Sequence, residues 1–295
     1  MEPLQLPYYR DPRQLPAPLP TKEDIHASTA VIKGQASWDT RRVVIVGQHF
    51  LVKYGPRASQ VEGENLIFVE KRLRIRAPLL YAMWREPNND VYIIMELIQG
   101  EPLDARWPNL TKDERAMVLG KLRRVFDQMR ALPPPAFYGS VTGGKMPHHL
   151  FWTAEDEPKV NGPFHTAHAL VLGLAERSRR NWALNQRYSY KPEFFERHIS
   201  RALGDSSPTF SHTDLQRKNV IVREVACEVT AVKDYEVVLV DWEDAGWYPA
   251  YWEYAVAFGA FPWVDDDWPR AIESVLDPYC AEGTMLNMIK EDLWM

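Results

Sequence analysis

The most constraining feature of this chain is a polar loop set between two apolar runs, with a carboxylate closing the second run. The first part reads Thr209-Phe210-Ser211-His212-Thr213-Asp214-Leu215-Gln216-Arg217-Lys218-Asn219-Val220-Ile221-Val222. The second reads Val237-Val238-Leu239-Val240-Asp241-Trp242-Glu243-Asp244-Ala245-Gly246. Short apolar runs rich in valine predict extended backbone on both sides of the loop. That arrangement converges three oxygen-bearing side chains. A carboxylate at Asp214 can take or orient the proton of an attacking hydroxyl. The amide oxygen of Asn219 and the carboxylate of Asp241 can hold a hard divalent ion on a chain of phosphates. The competing reading is an Asx turn followed by a strand, with Asp241 as a strand-end cap.

His212, Asp214, Leu215 and Asn219 fit H-x-D-L-x-x-x-N, the catalytic-loop spacing of kinases. Phe210 to Leu215 with Asn219 resembles the catalytic loop of the aminoglycoside phosphotransferase family, the choline-kinase-like, small-molecule branch of the protein-kinase-like fold. Val240-Asp241-Trp242-Glu243 with Ala245-Gly246 resembles its metal-binding segment. The likeness is strongest to fungal members described only as phosphotransferase enzyme family proteins, and runs from about Val43 to Phe261. It implies an α+β, bilobal, protein-kinase-like fold. Residues 1–98 would form a small lobe of antiparallel sheet with one helix. Residues 99–295 would form a mainly helical lobe with the catalytic loop, the metal-binding Asp241 and the acceptor pocket. It further implies ATP and Mg2+ as cofactors, and a small-molecule acceptor phosphorylated on a hydroxyl or an amine. Asp214 would be the catalytic base, Asn219 and Asp241 the magnesium ligands, and His212 a supporting residue of the motif.

Totals narrow the remaining classes. The chain has 295 residues, room for one large domain or two lobes, and its hydrophobic content of 45% suffices for a core. A net charge of −5 argues against a nucleic-acid surface. Cys227 and Cys280 have neither metal-ligand spacing nor a disulfide framework, which fits a reducing compartment; a single bridge is the alternative. No secretory pattern opens the sequence, and no apolar run approaches the roughly 20 residues a spanning helix needs. The expectation is a cytoplasmic protein without membrane or nucleic-acid partners. Oligomeric state has no signature in the sequence.

Along the chain, the proline-rich residues 1–20 predict an arm either extended and packed on the surface or disordered, and Thr21 an N-cap for a short helix to about Ala30. Val43–Val46 and Phe50–Tyr54, joined by Gly47-Gln48-His49, predict a hairpin. Lys53 lies in its second strand. By charge alone it is a solvated lysine; by resemblance it is the lysine that binds the α- and β-phosphates of ATP. Val61–Arg72 has helical period. Glu62 falls where the family's helix-borne glutamate pairs with that lysine, and Glu64 is the alternative. Val91–Ile98 predicts a buried strand, and its end resembles the hinge, where backbone groups of Glu96 and Ile98 would meet the adenine edge. Thr111 with Glu114 predicts a capped helix to about Leu132. Phe164–Arg180 and Pro192–Leu203 read as further helices. His148 and His149 invite a metal reading, but no acid or cysteine stands at ligand spacing from them. The aromatic run after Asp241 reads as core. Glu243, Asp265, Asp266 and Asp267, among its interleaved acids, are candidate contacts to substrate amines, with a solvated loop the simpler reading of the last three. The rest of the chain, to Met295, reads as a last helix.

Two departures from the family's pattern leave a second reading open. No G-x-G-x-x-G precedes Lys53, and Lys33-Gly34-Gln35-Ala36-Ser37 is the only candidate nucleotide loop. Thr213 stands where the family usually has glycine. A kinase-fold protein that binds a metabolite, or catalyses another reaction in the same cleft, is therefore the alternative. A protein kinase is disfavoured by the lack of an activation segment and an A-P-E signature.

Overall fold

The computed structural model describes residues 1–34, 40–203, 206–226, 233–259 and 267–293. Contacts divide the chain into two compact units. One comprises Glu2–Ala105 with Val220–Glu243; the other comprises Met1, Arg106–Asn219 and Asp244–Met295. The first crossing between the units lies after Ala105, and the boundary expected from the sequence lies at residue 98. It assigns Val220–Glu243 to the helical lobe, however, whereas by contact that stretch groups with the sheet.

The first unit is built on an antiparallel sheet of β1 (Tyr8–Tyr9), β2 (Val31–Lys33), β3 (Arg42–Val46), β4 (Phe50–Gly55), β5 (Leu80–Arg85) and β6 (Val91–Glu96). Its six strands lie in the order β1-β5-β6-β4-β3-β2. The predicted hairpin is β3–β4, in register Val43 with Lys53 and Val46 with Phe50. Alternation sorts the faces of β4. Phe50, Val52 and Tyr54 enter a core with Ile25, Val44, Tyr81, Ala82, Tyr92 and Ile94, while Lys53 points the other way. The helix Gln60–Arg72 has Ser59 as N-cap, accepting the Val61 N–H. The same unit holds a smaller sheet of Glu101–Pro102, Val220–Ala226 and Lys233–Leu239. The short N-terminal helix ends at Ala27, three residues earlier than expected, and Thr21 caps it in a full capping box with Asp24.

The N-terminal arm takes the first of the two forms expected of it, extended and packed on the surface, and goes further by joining the sheet. Tyr8 and Tyr9 pair with Met83 and Ala82 as an edge strand. Arg10 then locks the arm: its Nε donates to the Leu80 carbonyl at 2.7 Å and its guanidinium grips Glu70. Proline content predicted the extended backbone; the partner strand could not be read from it.

The second unit is mainly helical. The helix Lys112–Arg130 starts in the predicted Thr111–Glu114 capping box and buries Val118, Leu122, Phe126 and Met129. Ala167–Leu184 follows, and Lys191–Leu203 is a succession of helical turns with a π-helical stretch at Phe195–Ile199. The expected single last helix is two, Trp268–Val275 and Cys280–Leu293, separated at Leu276-Asp277-Pro278, where proline removes a backbone donor. The aromatic run supplies the core as predicted: Tyr248, Tyr251 and Trp252 pack with Phe151, Phe164 and Phe195. Phe261 and Trp263 lie outside the described residues, as does Cys227. Cys280 is exposed and carries a free thiol. Among the described residues no helix is long and apolar enough to cross a membrane.

Candidate active site

In the first unit, Lys53 is 6% exposed and Glu62 1%. The Lys53 ammonium donates to Glu62 Oε1 at 2.7 Å and to Asp241 Oδ1 at 2.5 Å. Burial pulls the ammonium's pKa down, and the two carboxylates more than offset it, so it lies above its usual value. Burial also pushes Glu62 up, against the pull of Lys53. The open choice between Glu62 and Glu64 is thereby decided, since Glu64 accepts instead from the Leu4 N–H and from Gln60. Positions 62 and 65 share one helix face. Asn65 uses that face to donate to the Trp242 carbonyl at 2.7 Å. One helix thus orients the lysine and ties down the residue next to Asp241. Asp241 itself has φ +67°, a left-handed conformation that costs a non-glycine residue about 1–2 kcal/mol.

Carboxylate oxygens of Glu62, Asp241 and Glu243 lie within 4.8 Å of one another. Glu62 Oε2 is buried and, among the described residues, without a hydrogen-bond partner. Glu243 forms an ion pair with Arg41. An all-oxygen donor set with one orphaned oxygen suits a hard ion such as Mg2+. At the expected hinge, the Glu96 N–H is spent on the Leu79 carbonyl at 2.9 Å and its carboxylate on Arg76. Any contact it makes to a base must run through its carbonyl. The N–H and carbonyl of Ile98 have no main-chain partner among the described residues. In the expected nucleotide loop, Gly34 has φ +87°, and a Cβ there would collide with the Arg41 carbonyl. Gln35 to Ser37 lie outside the described residues.

In the second unit, the strand Pro208–Ser211 pairs with Gly246–Pro249 and delivers the loop. Asn219 Nδ2 donates to the Asp214 carbonyl at 3.0 Å and to Asp214 Oδ2 at 2.6 Å. Gln216 Nε2 donates to Asp214 Oδ1. With its nitrogen spent on Asp214, Asn219 keeps its oxygen for another partner. His212 is fully buried and its Nδ1 accepts the Asp214 N–H at 3.3 Å. Thr213 has φ +69°, which is why glycine is usual there. Its strain is offset locally, because Thr213 Oγ1 donates to the Asp244 carbonyl at 3.1 Å.

Sequence reasoning missed Glu253. It is 3% exposed and accepts the N–H of His212 at 2.6 Å and that of Thr213 at 3.0 Å. Burial raises its pKa to about 7 despite those two bonds. An acid inside the run Tyr251-Trp252-Glu253-Tyr254 was the available signal, since buried acids need partners. Asp244 is the partner that spacing did not give the histidine pair: its carboxylate and the rings of His148 and His149 bring ligand atoms within 4.8 Å of one another. Asp265 and Asp266 lie outside the described residues.

A sheet unit with a buried lysine–glutamate–aspartate cluster, and a helical unit with an H-x-D…N loop, define an α+β protein of the protein-kinase-like class. A family model described as phosphotransferase enzyme family matches residues 29–288. The chain belongs to that family, and so to a class of enzymes that act as small-molecule kinases. Solved structures agree on the fold. ADP-bound aminoglycoside phosphotransferase APH(2'')-Ib superposes with a TM-score of 0.57 at 15% identity, covering 88% of this chain and 84% of its own. The streptomycin–ATP complex of APH(2'')-IIa gives 0.59 at 15% identity, covering 92% and 88%. A thermostable mutant of APH(4)-Ia gives 0.56 at 14%, covering 92% and 86%. A search of curated proteins finds no match.

Proposed function

We propose that this protein transfers the terminal phosphoryl group of ATP to a hydroxyl, or an amine, of a small molecule. The observation that carries this reading is the Lys53 ammonium held by Glu62 and Asp241. In this reading Lys53 holds the α- and β-phosphates, and Glu62 keeps its ammonium in place. Asp241 and the side-chain oxygen of Asn219 are the magnesium ligands. The ion, when bound, neutralises charge on the phosphates. Asp214 takes the acceptor's proton, and the Asn219 and Gln216 amides hold its carboxylate in a fixed plane. His212 and Glu253 fix the loop backbone, and the main chain of Glu96 and Ile98 meets the base. Complexes of similar structures with ADP, ATP and GDP support a nucleotide donor.

The test is calorimetric titration with ATP and Mg2+, followed by phosphate transfer to a panel of small alcohols and amines. Saturable, magnesium-dependent ATP binding is expected. Asp214→Asn is expected to lower kcat by about 10²–10⁴-fold with ATP binding retained. The reading fails if magnesium-ATP does not bind, or if Asp214→Asn transfers phosphate as fast as the parent. Nucleotide binding without transfer to any acceptor would favour a kinase-fold protein with another role.

A further inference from the structure

Among the described residues, the half-buried cations Arg177 and Lys290 of the helical unit have no carboxylate partner. Arg177, on the helix Ala167–Leu184, and Lys290, on the helix Cys280–Leu293, are each half-buried. Arg177 donates to the carbonyl of His149. Lys290 donates to the carbonyl of Gly259 at 2.9 Å. Among the described residues neither forms an ion pair, whereas Arg130 and Arg180 of the same unit hold Asp277 and Glu157. Burial lowers the pKa of both cations, with no described carboxylate acting to raise it. One carbonyl occupies one donor of each. A guanidinium has five N–H groups and an ammonium three, so donors remain on both.

These cations belong to the surroundings of the histidine pair. His148 is fully buried; burial above all keeps both rings neutral, pushing His149 down to about 4, and the charges of Arg177 and Lys290 act on both in the same direction. The pair is tied to the catalytic loop through hydrogen bonds. Thr213 donates to the Asp244 carbonyl, Tyr248 donates to that same carbonyl, and the His148 N–H donates to the Tyr248 hydroxyl. Asp214 lies close enough to His149 to act on it as well.

A metal at His148, His149 and Asp244 is the first alternative, and two features oppose it. His148 Nδ1 already accepts the Leu150 N–H at 3.2 Å, so the neutral ring carries its proton on Nε2. Two fixed cations also repel an incoming ion. Asp244 and Asp214 are the carboxylates that oppose an anion there. Each half-buried cation could nevertheless form a charge-assisted bond with one, the strong kind of hydrogen bond.

We propose that Arg177 and Lys290 recognise an anionic group of the acceptor, a carboxylate or a phosphate, next to the Asp214 loop. This rests on the phosphotransferase reading in taking the anion to be the acceptor's own. A pair of cations beside the loop favours an anionic acceptor over a polycationic one.

The test uses matched acceptors: hydroxy acids with their methyl esters, sugar phosphates with their parent sugars, and kanamycin as a polycation. Anionic members are expected to exceed their neutral partners at least tenfold in kcat/KM, and the acid and phosphate arms separate the two sources. Arg177→Gln and Lys290→Gln should each raise KM for the anionic member about ten- to hundredfold. Arg177→Lys should recover most of the loss, which a merely structural role would not give. Preference for the neutral or cationic members, or an unchanged KM in Arg177→Gln, overturns the proposal. Where no panel member is phosphorylated, titration of the full chain with succinate and with inorganic phosphate decides. Saturable binding lost in Arg177→Gln upholds the anion site even if phosphate transfer fails, and no binding of either probe overturns it.

Discussion

At the scale of single residues, one buried ammonium balances two carboxylates, and this balance governs what substitutions do. Lys53→Met would leave Glu62 and Asp241 uncompensated. Removing one partner of a buried pair costs about 3–5 kcal/mol, so urea unfolding should show a loss of that order, together with loss of ATP binding by calorimetry. Glu62→Gln keeps the Asp241 contact and should chiefly raise KM for ATP. Glu253 makes a pH prediction. Its pKa of about 7 lies above its ordinary value of 4.5. The folded state therefore binds more protons than the unfolded one between pH 4.5 and 7. Its contribution is complete below pH 4.5 and falls as pH rises through 7. Glu253→Gln should remove that part of the pH dependence, so the difference between the parent and variant unfolding curves should change across this window. A difference that stays flat would refute the assignment. The variant should also lower kcat, since the oxygen that holds two N–H groups of the loop is replaced by a weaker acceptor.

At the scale of elements, local chemistry set most boundaries. Thr21 and Thr111 start their helices through reciprocal capping bonds, and the β3–β4 hairpin follows from two β-rich runs around a turn. The N-terminal arm is the exception. Its pairing with β5 is a non-local bond pattern, and a two-residue strand has too little periodicity to announce itself. Arg10→Ala should cost about 2 kcal/mol, from a lost charge-assisted pair with Glu70 and an unsatisfied Leu80 carbonyl; a lowered thermal midpoint checks it. Gly34→Ala should also destabilise, because a Cβ there meets the Arg41 carbonyl and φ is positive. Thr213→Ala is informative in the loop: it keeps the strained φ and removes the bond to Asp244, so its loss reports that bond alone.

At the scale of the whole molecule, ligand binding should read out as stability. A ligand that binds only the folded chain stabilises it by about 2.7 kcal/mol at a hundred times its Kd. Saturating ATP with Mg2+ should therefore raise the thermal midpoint of the parent, and the gain should vanish in Asp241→Asn. Equal gains in both proteins would remove Asp241 from the metal site. The contact division also crosses the chain order, since Val220–Glu243 returns to the sheet unit. That return is what carries Asp241 to Lys53, a residue 188 positions earlier.

The strands on either side of the H-x-D…N loop and the β3–β4 hairpin that carries Lys53 were legible in the sequence, because each rests on local spacing, and the α+β class followed from the family resemblance that the loop carries. Three matters were decided only by the tertiary structure. Glu62 rather than Glu64 meets Lys53, because the direction of a helical side chain depends on how the helix packs. Glu253 holds the H-x-D…N loop and Asp244 joins the histidine pair, because each acts on residues tens of positions away. Long-range partners of buried charge are set by packing, which brings together residues whose spacing along the chain carries no trace of the contact.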